Sequence, residues 1–490
     1  MRDAIRFVRN GRVIELSDLQ PDVTLLDYLR LIEGATGTKE GCADGSCGTC
    51  TVAVGRPVED GVAYAPAVAC RTLVGQVDAA EIVAIEDIAE DDGTLHPVQA
   101  ALVESHASQC GFCIPGMAMS LFCLYHATTD QVDRSVAADW IEGNLCRCNG
   151  YRPVIDAAIH ATAEPRGDRH LRAQPEMAAA LRALADGDDI FLGDQKRFLA
   201  APARLETLVA LRGSYPDAAL LGGGLGRGPL PDQPRIIVTN RVAELQAVED
   251  GDEAVVLGAG LSLAAAMPWL AGIDPDLGAT VLRTGGRQWR HAATLAGAIV
   301  AGTQAGELPA ALLALEARVT LRKGPQERTV AVESFFAEDG RTGLEPGEVI
   351  VSITIPRIRP AQAFRCYRVG KRFDFGPATV AGAFRIQTDA DGRIDQAFVA
   401  FGGLAPAPRR ARAAEAALIG ARPRDRAAWT TAFAALRDEF TLVGNSRGSA
   451  RYRIETAQAL LGKAMIEIGG TPVRRTRLSG FREAAADVAG

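Results

Sequence analysis

No stretch of this sequence approaches the run of about 20 apolar residues that crosses a bilayer, which argues against a transmembrane helix. Positive charge is not in excess either. The 490-residue chain has a formal net charge of −7, which argues against nucleic acid as its main partner. Histidine is scarce, and the six present (His96, His106, His126, His160, His170 and His291) show no ligand spacing. There is no internal repeat, no Ser-His-Asp set and no paired-carboxylate constellation for hydrolytic chemistry. Met1-Arg-Asp-Ala-Ile runs straight into strand-like sequence without a twin-arginine or secretory pattern, so a cytoplasmic location is expected. What is present, 48% hydrophobic and 23% charged residues, is the composition of a globular chain with well-filled cores. Its length suits about three domains of ~100–200 residues each.

Against that background the ten cysteines stand out, and in such a chain they point to metal ligation rather than disulfides. Eight fall into two groups of four. In the first, Cys42, Cys47 and Cys50 have the spacing C-x4-C-x2-C and Cys70 follows after a gap, the plant-type arrangement for a [2Fe–2S] cluster. The small residues Gly41, Gly45, Ser46, Gly48 and Thr49 let the backbone close around such a cluster and aim N–H groups at its sulfurs. The second group is two tight pairs, Cys110/Cys113 and Cys146/Cys148, placed at predicted helix ends. A C-x-C pair is too short for an ordinary zinc knuckle, so a second [2Fe–2S] cluster is the better reading. The alternative for both groups is zinc, which would make the chain a non-redox scaffold. Cys123 and Cys366 stand alone in apolar segments and read as core residues.

The rest of the chain divides by pattern. Residues 1–78 are β-rich: Ile5–Val8 and Val13–Leu16 flank Asn10-Gly11, a type I′ hairpin signal. Thr24–Ile32 reads as a short helix and Thr51–Val54 as a strand, together a β-grasp, ferredoxin-like domain. Residues 79–162 turn helical, with helices predicted at His96–Val103, Pro115–His126, Val132–Leu145 and Val154–Thr162. Residues 163–188 read as a linker with one helical stretch, Pro175–Ala185. From 189 to 358 strands (Ala218–Leu221, Arg235–Val238, Ala254–Leu257) alternate with helices (Leu261–Leu270, Leu308–Leu315). Residues 362–468 give strands at Gln362–Arg368, Ala378–Thr388 and Ile394–Phe401, then helices at Ala413–Ile419 and Ala427–Phe440. Residues 469–490, rich in arginine, read as a solvated tail.

The segments Gly-Thr-Lys-Glu-Gly-Cys (37–42), Ser-Gln-Cys-Gly-Phe-Cys (108–113) and Gly-Asn-Leu-Cys-Arg-Cys-Asn-Gly-Tyr-Arg-Pro (143–153) make the chain resemble the molybdenum hydroxylases. Within that family the likeness is to the small subunit of bacterial xanthine dehydrogenase, densely so over residues 5–160. The resemblance implies an α+β multidomain fold. Its parts would be a β-grasp [2Fe–2S] ferredoxin domain, a four-helix [2Fe–2S] domain, a PCMH-like α/β FAD-binding domain and a C-terminal α+β flavoprotein-type domain. It implies an oxidoreductase subunit that transfers electrons, with no catalytic residue on this chain. Cys42, Cys47, Cys50 and Cys70 would hold the cluster nearer the flavin. Cys110, Cys113, Cys146 and Cys148 would hold the one facing a molybdenum cofactor on a separate large subunit, with Gln109 beside that cofactor. A heterotetramer of two small and two large subunits, NAD or another electron acceptor, and a role in purine catabolism belong to the same implication.

FAD is the cofactor whose implied site departs from the family. The segment Gly222-Gly223-Gly224-Leu225-Gly226-Arg227 has Leu225 and Gly226 where a polar pair is usual. The second segment keeps Gly297 but reads Ala296-Gly297-Ala298-Ile299, followed by Thr303 and Glu307 in place of a serine and an aspartate. In the third, Lys371-Arg372-Phe373-Asp374-Phe375 retains Lys371 and Asp374 but loses two acidic neighbours. At about 0.5–1.5 kcal/mol per hydrogen bond, three or four losses weaken binding by roughly one to four powers of ten. Arg227 offers a partial offset by pairing with a phosphate. Two readings stand: a flavoenzyme module, or a retained fold with an emptied pocket whose electrons go to another acceptor.

Overall fold

Asn10 and Gly11 both take positive φ (50° and 70°), the type I′ geometry, and join β1 (Ile5–Arg9) to β2 (Arg12–Leu16). Strands β3 (Thr51–Val58), β4 (Gly61–Val68) and β5 (Glu81–Val83) complete a mixed sheet in the order β2-β1-β5-β3-β4, with β1 and β5 parallel. Thr24 Oγ1 accepts the Asp27 N–H and starts a helical turn, α1 (Leu25–Asp27), which runs on as a π-turn over Tyr28–Ile32. The loop between that turn and β3 carries three of the first four cysteines.

The computed structural model describes residues 1–163, 166–225, 234–301, 306–337, 339–372, 376–441 and 444–477. These form two units. The first holds residues 1–246 with 262–264 and 285–297; the second holds 247–261, 265–284 and 298–490.

In the first unit, the ferredoxin-like sheet is followed by α2 (Pro97–Glu104), α3 (Ile114–Ala127), α4 (Arg134–Ile141) and α5 (Tyr151–Ala161). Helix α3 is apolar on all sides and buried, and its Met117, Phe122 and Leu124 form the centre of this layer. Helix α4 is shorter than the predicted Val132–Leu145. It stops at Ile141 because Gly143 and Asn144 turn toward the first cysteine loop. Helix α6 (Arg169–Leu184) begins six residues before the predicted stretch and passes through Pro175. Tertiary contacts hold that extra turn. Arg169 pairs with Asp91, Arg172 pairs with Glu90, and His170 is buried.

Strands β6 (Ile190–Gly193), β7 (Phe198–Ala201), β8 (Ala219–Leu221) and β9 (Arg235–Val238) form a second sheet in the order β6-β7-β9-β8, with α7 (Leu205–Ser214) between β7 and β8. Its Ile190, Leu199, Leu221 and Ile236 share one core with Ile5, Leu29, Cys50 and Val74 of the ferredoxin-like part. The helix Arg287–Ala292 also belongs to this unit.

The second unit holds a five-stranded sheet in the order Val248–Asp250, Ala254–Gly258, Val349–Pro356, Arg318–Lys323 and Gln326–Ala331. A four-stranded sheet follows, in the order Gln362–Val369, Val380–Thr388, Ile394–Gly402 and Arg409–Arg410. The three long strands of the second sheet match those predicted, but of the first sheet only Ala254–Gly258 was anticipated, and the 19-residue helix Ala450–Ile468 was not anticipated as a helix. In the arginine-rich end Arg474 and Arg475 are exposed as expected, but Arg477 departs from expectation. Arg477 is not solvated: it pairs with Asp276 and Glu467, and its guanidinium lies over the Tyr367 ring. No helix among the described residues is long and apolar enough to cross a membrane.

Gly116, in the first turn of α3, is where the helical layer meets the first cysteine loop. A Cβ there would lie 2.2 Å from Gly48 O and 3.0 Å from Thr49 Cα, both backbone atoms. Gly116→Ala is therefore expected to cost about 1–3 kcal/mol and to lower the thermal midpoint by several degrees. An unchanged midpoint would contradict this packing.

Candidate metal centres

The first cysteine loop closes through residues with positive φ, Ala43, Gly45 and Gly48. This curvature brings the Cys47 N–H to Cys42 Sγ at 3.3 Å and Thr49 Oγ1 to Cys47 Sγ at 3.2 Å. Cys70 arrives from the turn after β4, and Cys50 and Cys70 are buried while Cys42 and Cys47 are half-buried. Cys42 is in hydrogen-bond reach of Cys47 and Cys70, and Cys70 of Cys50. Hydrogen bonds from Cys47 and Cys70 pull Cys42 far below the usual thiol range, and Cys70 does the same to Cys50. The contact with Cys42, together with burial, pushes both Cys47 and Cys70 up. Four thiolates crowded into this space would repel one another, and a cationic core bound to all four relieves that repulsion. The donor set therefore fits a metal group.

The second set forms at helix ends. Cys113 caps α3, Cys146 and Cys148 lie between α4 and α5, and Cys110 precedes Gly111, whose φ is 82°. Burial and the neighbouring Cys146 push Cys113 up to about 12. The Phe112 N–H and Cys148 pull Cys110 down. Cys110 also acts on Cys113, and Cys146 on Cys148, so the two pairs make one set. The Gly150 N–H donates to Cys146 Sγ at 3.3 Å, and the Cys146 N–H donates to the Tyr151 hydroxyl at 2.8 Å. Cys110, Cys148, Gln109 and Phe112 are exposed. Gln109 Nε2 donates to Cys148 O at 3.3 Å. Among the described residues all ten cysteines are free, and Cys123 and Cys366 are buried in the core as expected.

The two sets are joined directly. The Leu145 N–H, one residue before Cys146, donates to Cys47 O at 2.8 Å. A single hydrogen bond thus separates the covalent path of one thiol set from that of the other.

The glycine segments implied for FAD lie in both units. In the first unit, Gly222 O accepts from Gln76 Nε2 at 2.7 Å, and Gly224 O accepts from Arg71 Nε at 3.1 Å. A Cβ on Gly223 would lie 1.7 Å from Ala292 O, so the segment is pressed onto the turn that leads to Gly297. Gly297 N–H donates to Thr294 Oγ1 at 3.1 Å. The Leu225 side chain packs on the core beside Gly45 of the first cysteine loop. Its side chain carries no hydrogen-bonding group. In the second unit, Glu307 is buried and committed to Arg368 and the Ala378 N–H, and Lys371 Nζ donates to Ser446 O. Gly226, Arg227, Thr303 and Asp374 lie outside the described residues.

Sequence spacing missed one cluster. His96, His126 and Asp168 bring their ligand atoms within 4.8 Å of one another. The signal was weak: 72 residues separate His96 from Asp168, and each residue sits at a helix end. His96 Nδ1 accepts the Val98 N–H at 3.1 Å, so its proton is on Nε2, which donates to Asp168 Oδ2 at 3.2 Å. A protonated Nε2 has no lone pair for a metal, so this is a hydrogen-bonded carboxylate rather than a third metal centre. His126 Nε2 stands 3.2 Å from the same oxygen, and Asp168 Oδ1 caps α6 at the Leu171 N–H. Burial opposes ionisation of Asp168, but His126 and His96 hold its carboxyl well below the usual range. Burial also lowers the pKa of His126, against the pull of Asp168. Tyr64, His170 and Tyr125 pack around the pair, and Tyr64 donates to Glu81 at 2.7 Å.

Both shifts act in the same direction with pH. Stability falls as pH drops below about 6.5, where the unfolded chain binds a histidine proton that folded His126 resists. It falls again below about 4, where the unfolded chain protonates a carboxyl that folded Asp168 keeps ionised. Asp168→Ala is expected to cost roughly 2–4 kcal/mol, an N-cap and a buried acceptor together, and to flatten the lower limb. Denaturant midpoints measured from pH 8 to 3 check this; an unchanged profile in the variant would contradict it.

Four family descriptions match the chain. Residues 8–75 match a 2Fe-2S iron-sulfur cluster binding domain and residues 84–159 a [2Fe-2S] binding domain. Residues 195–358 match the FAD binding domain in molybdopterin dehydrogenase, and residues 365–468 the CO dehydrogenase flavoprotein C-terminal domain. Aldehyde oxidase 1 of Cavia porcellus is 29% identical over 82% of this chain and 34% of its own length. Xanthine dehydrogenase of Emericella nidulans is 29% identical over 92% of this chain and 38% of its own. The chain thus spans about a third of these relatives. Among solved structures, a carbon monoxide dehydrogenase chain from Hydrogenophaga pseudoflava aligns at TM-score 0.51 and 27% identity, covering 55% of this chain and 95% of that one. Quinoline 2-oxidoreductase from Pseudomonas putida 86 aligns at 0.50 with 23% identity, covering 55% and 95%, and shares the fold.

Proposed function

We propose that this chain, which belongs to the iron–sulfur/flavoprotein small subunits of the molybdenum hydroxylases, conducts electrons away from a molybdenum cofactor held by a partner large subunit. The observation that carries the reading is the hydrogen bond from Leu145 N–H to Cys47 O, which links the two cysteine sets. A [2Fe–2S] cluster, when bound, supplies a one-electron redox site. Cys110, Cys113, Cys146 and Cys148 would hold the cluster toward the partner, and Cys42, Cys47, Cys50 and Cys70 the cluster farther from it. The Cys47 and Gly150 amides direct N–H groups at Cys42 and Cys146, which favours added negative charge on those sulfurs. Gln109, Phe112, Cys110 and Cys148 are the face offered to the partner, with Gln109 toward its cofactor.

On this reading two small and two large subunits assemble in the cytoplasm, and the substrate is bound by the large one. A purine is the leading substrate class, by likeness to xanthine dehydrogenase, with other N-heterocycles or aldehydes behind it. The FAD-binding domain retains its close glycine packing but presents Leu225 in place of a hydrogen-bonding side chain. FAD is therefore held weakly, and the final acceptor is either FAD with NAD or another electron carrier taken up on that side.

Cys148→Ser removes one ligand while leaving the second unit untouched. Turnover with the natural acceptor should fall by orders of magnitude, and turnover equal to the parent's would count against the route. Acid precipitation of the purified complex should release well under one flavin per small subunit, the consequence of several lost hydrogen bonds at ~0.5–1.5 kcal/mol each. Equimolar yellow flavin would contradict the weakened pocket.

A further inference from the structure

Between the two cysteine sets lies a closed network of buried polar side chains. Asn144 is 1% exposed, and its Nδ2 donates to Gly48 O at 2.8 Å. Because a carbonyl only accepts, this bond fixes the orientation of the Asn144 amide and turns its Oδ1 the other way. That oxygen accepts from Ser120 Oγ at 2.7 Å and from Gln288 Nε2 at 2.8 Å. Gln288 Nε2 also donates to Ser120 Oγ at 3.0 Å, and Thr51 Oγ1 donates to Gly48 O at 2.6 Å. Each hydroxyl and amide hydrogen in the network has an acceptor. Ser120, Thr51 and Gln288 are at most 2% exposed.

Gln288 is the member that comes from outside both cysteine domains. Its helix, Arg287–Ala292, is fastened to the end of α4 on each side of it. Arg287 Nε donates to Asp139 at 2.9 Å, and Arg290 Nη1 donates to Glu142 at 2.7 Å. The backbone leaves room for it only through glycine: a Cβ on Gly143 would stand 2.0 Å from Gln288 Oε1, and one on Gly286 2.4 Å from Gly143 Cα. Gln288 Oε1 is itself buried without a hydrogen-bond partner among the described residues, so the side chain is held for its two N–H donors. Asn144 precedes Leu145, and Gly48 follows Cys47. Whatever holds Asn144 against Gly48 therefore holds the Leu145–Cys47 hydrogen bond.

We propose that Gln288 is a positioning residue: through Asn144 and Ser120 it fixes the separation and contact of the two cysteine sets, and so the coupling between the clusters they hold. The proposal rests on the electron-transfer reading above. Gln288→Met keeps the volume and removes both donors. In the full chain with its partner, the variant should bind the same amount of iron as the parent. Hydrogen exchange of the 143–146 segment, followed by mass spectrometry, should be about tenfold faster, the factor one ordinary hydrogen bond controls. The spin–spin splitting between the two reduced clusters in low-temperature EPR should change with it. Unchanged exchange and splitting in an iron-replete variant would overturn the proposal. Faster exchange with unchanged splitting would reduce Gln288 to a brace and overturn it equally. If Gln288→Met fails to fold or to bind iron, Ser120→Ala decides by the same two readouts, since it deletes one hydroxyl without changing the backbone. A parent chain that binds no iron defeats the electron-transfer reading instead, and the two failures are told apart by the parent's own iron content.

Discussion

Backbone must touch backbone where the two cysteine loops meet, and much of the first unit follows from that constraint. Gly48 takes a φ of 69°, and its carbonyl oxygen sits where any side chain at position 116 would have to be. With both positions free of side chains, Cys47 O comes within 2.8 Å of the Leu145 N–H. A bulkier pair would separate the loops and break this bond. The short α4, the buried apolar α3 and the inserted helix Arg287–Ala292 can each be read as arrangements that keep this junction dry and closed.

Electrostatics act on the same region in a complementary way. Thiols gathered so closely ionise together only against positive charge, and no Lys or Arg is hydrogen-bonded to the eight sulfurs among the described residues. Bound metal would supply that compensation. The amide donors at Cys42 and Cys146 then serve as fixed dipoles, available without reorganisation when an electron arrives. The Asp168 cluster solves a different problem, holding a buried carboxylate with imidazole donors where α2, α3 and α6 converge.

Legibility in the sequence followed locality. Cys42, Cys47 and Cys50 share one loop, so their chemistry could be read from spacing, as could the Asn10-Gly11 turn from two residues. The strands of the C-terminal part were equally plain, because Ile394–Gly402 contains the apolar run Ala397–Phe401 and Gln362–Val369 is rich in aromatic and β-branched residues for its length. Helix α6 was read too short because Pro165 and Gly167 marked a linker and Pro175 falls inside the helix, while the contacts that hold its first turn come from Asp91 and Glu90, far away in sequence. Gln288, His96 and Asp168 were invisible for the same reason: each gains its meaning from a partner on another element. Arg477 looked like tail because its partners, Asp276 and Glu467, are acidic residues with no pattern linking them to it.

The central claim is that eight sulfurs hold iron in two sets close enough to exchange electrons. Iron and acid-labile sulfide, measured on chain purified without air, test it most directly. The account predicts about four of each per chain, as two [2Fe–2S] clusters require, with two EPR signals after reduction by dithionite. A folded, colourless chain that carries zinc or no metal, and gives no signal on reduction, would contradict it.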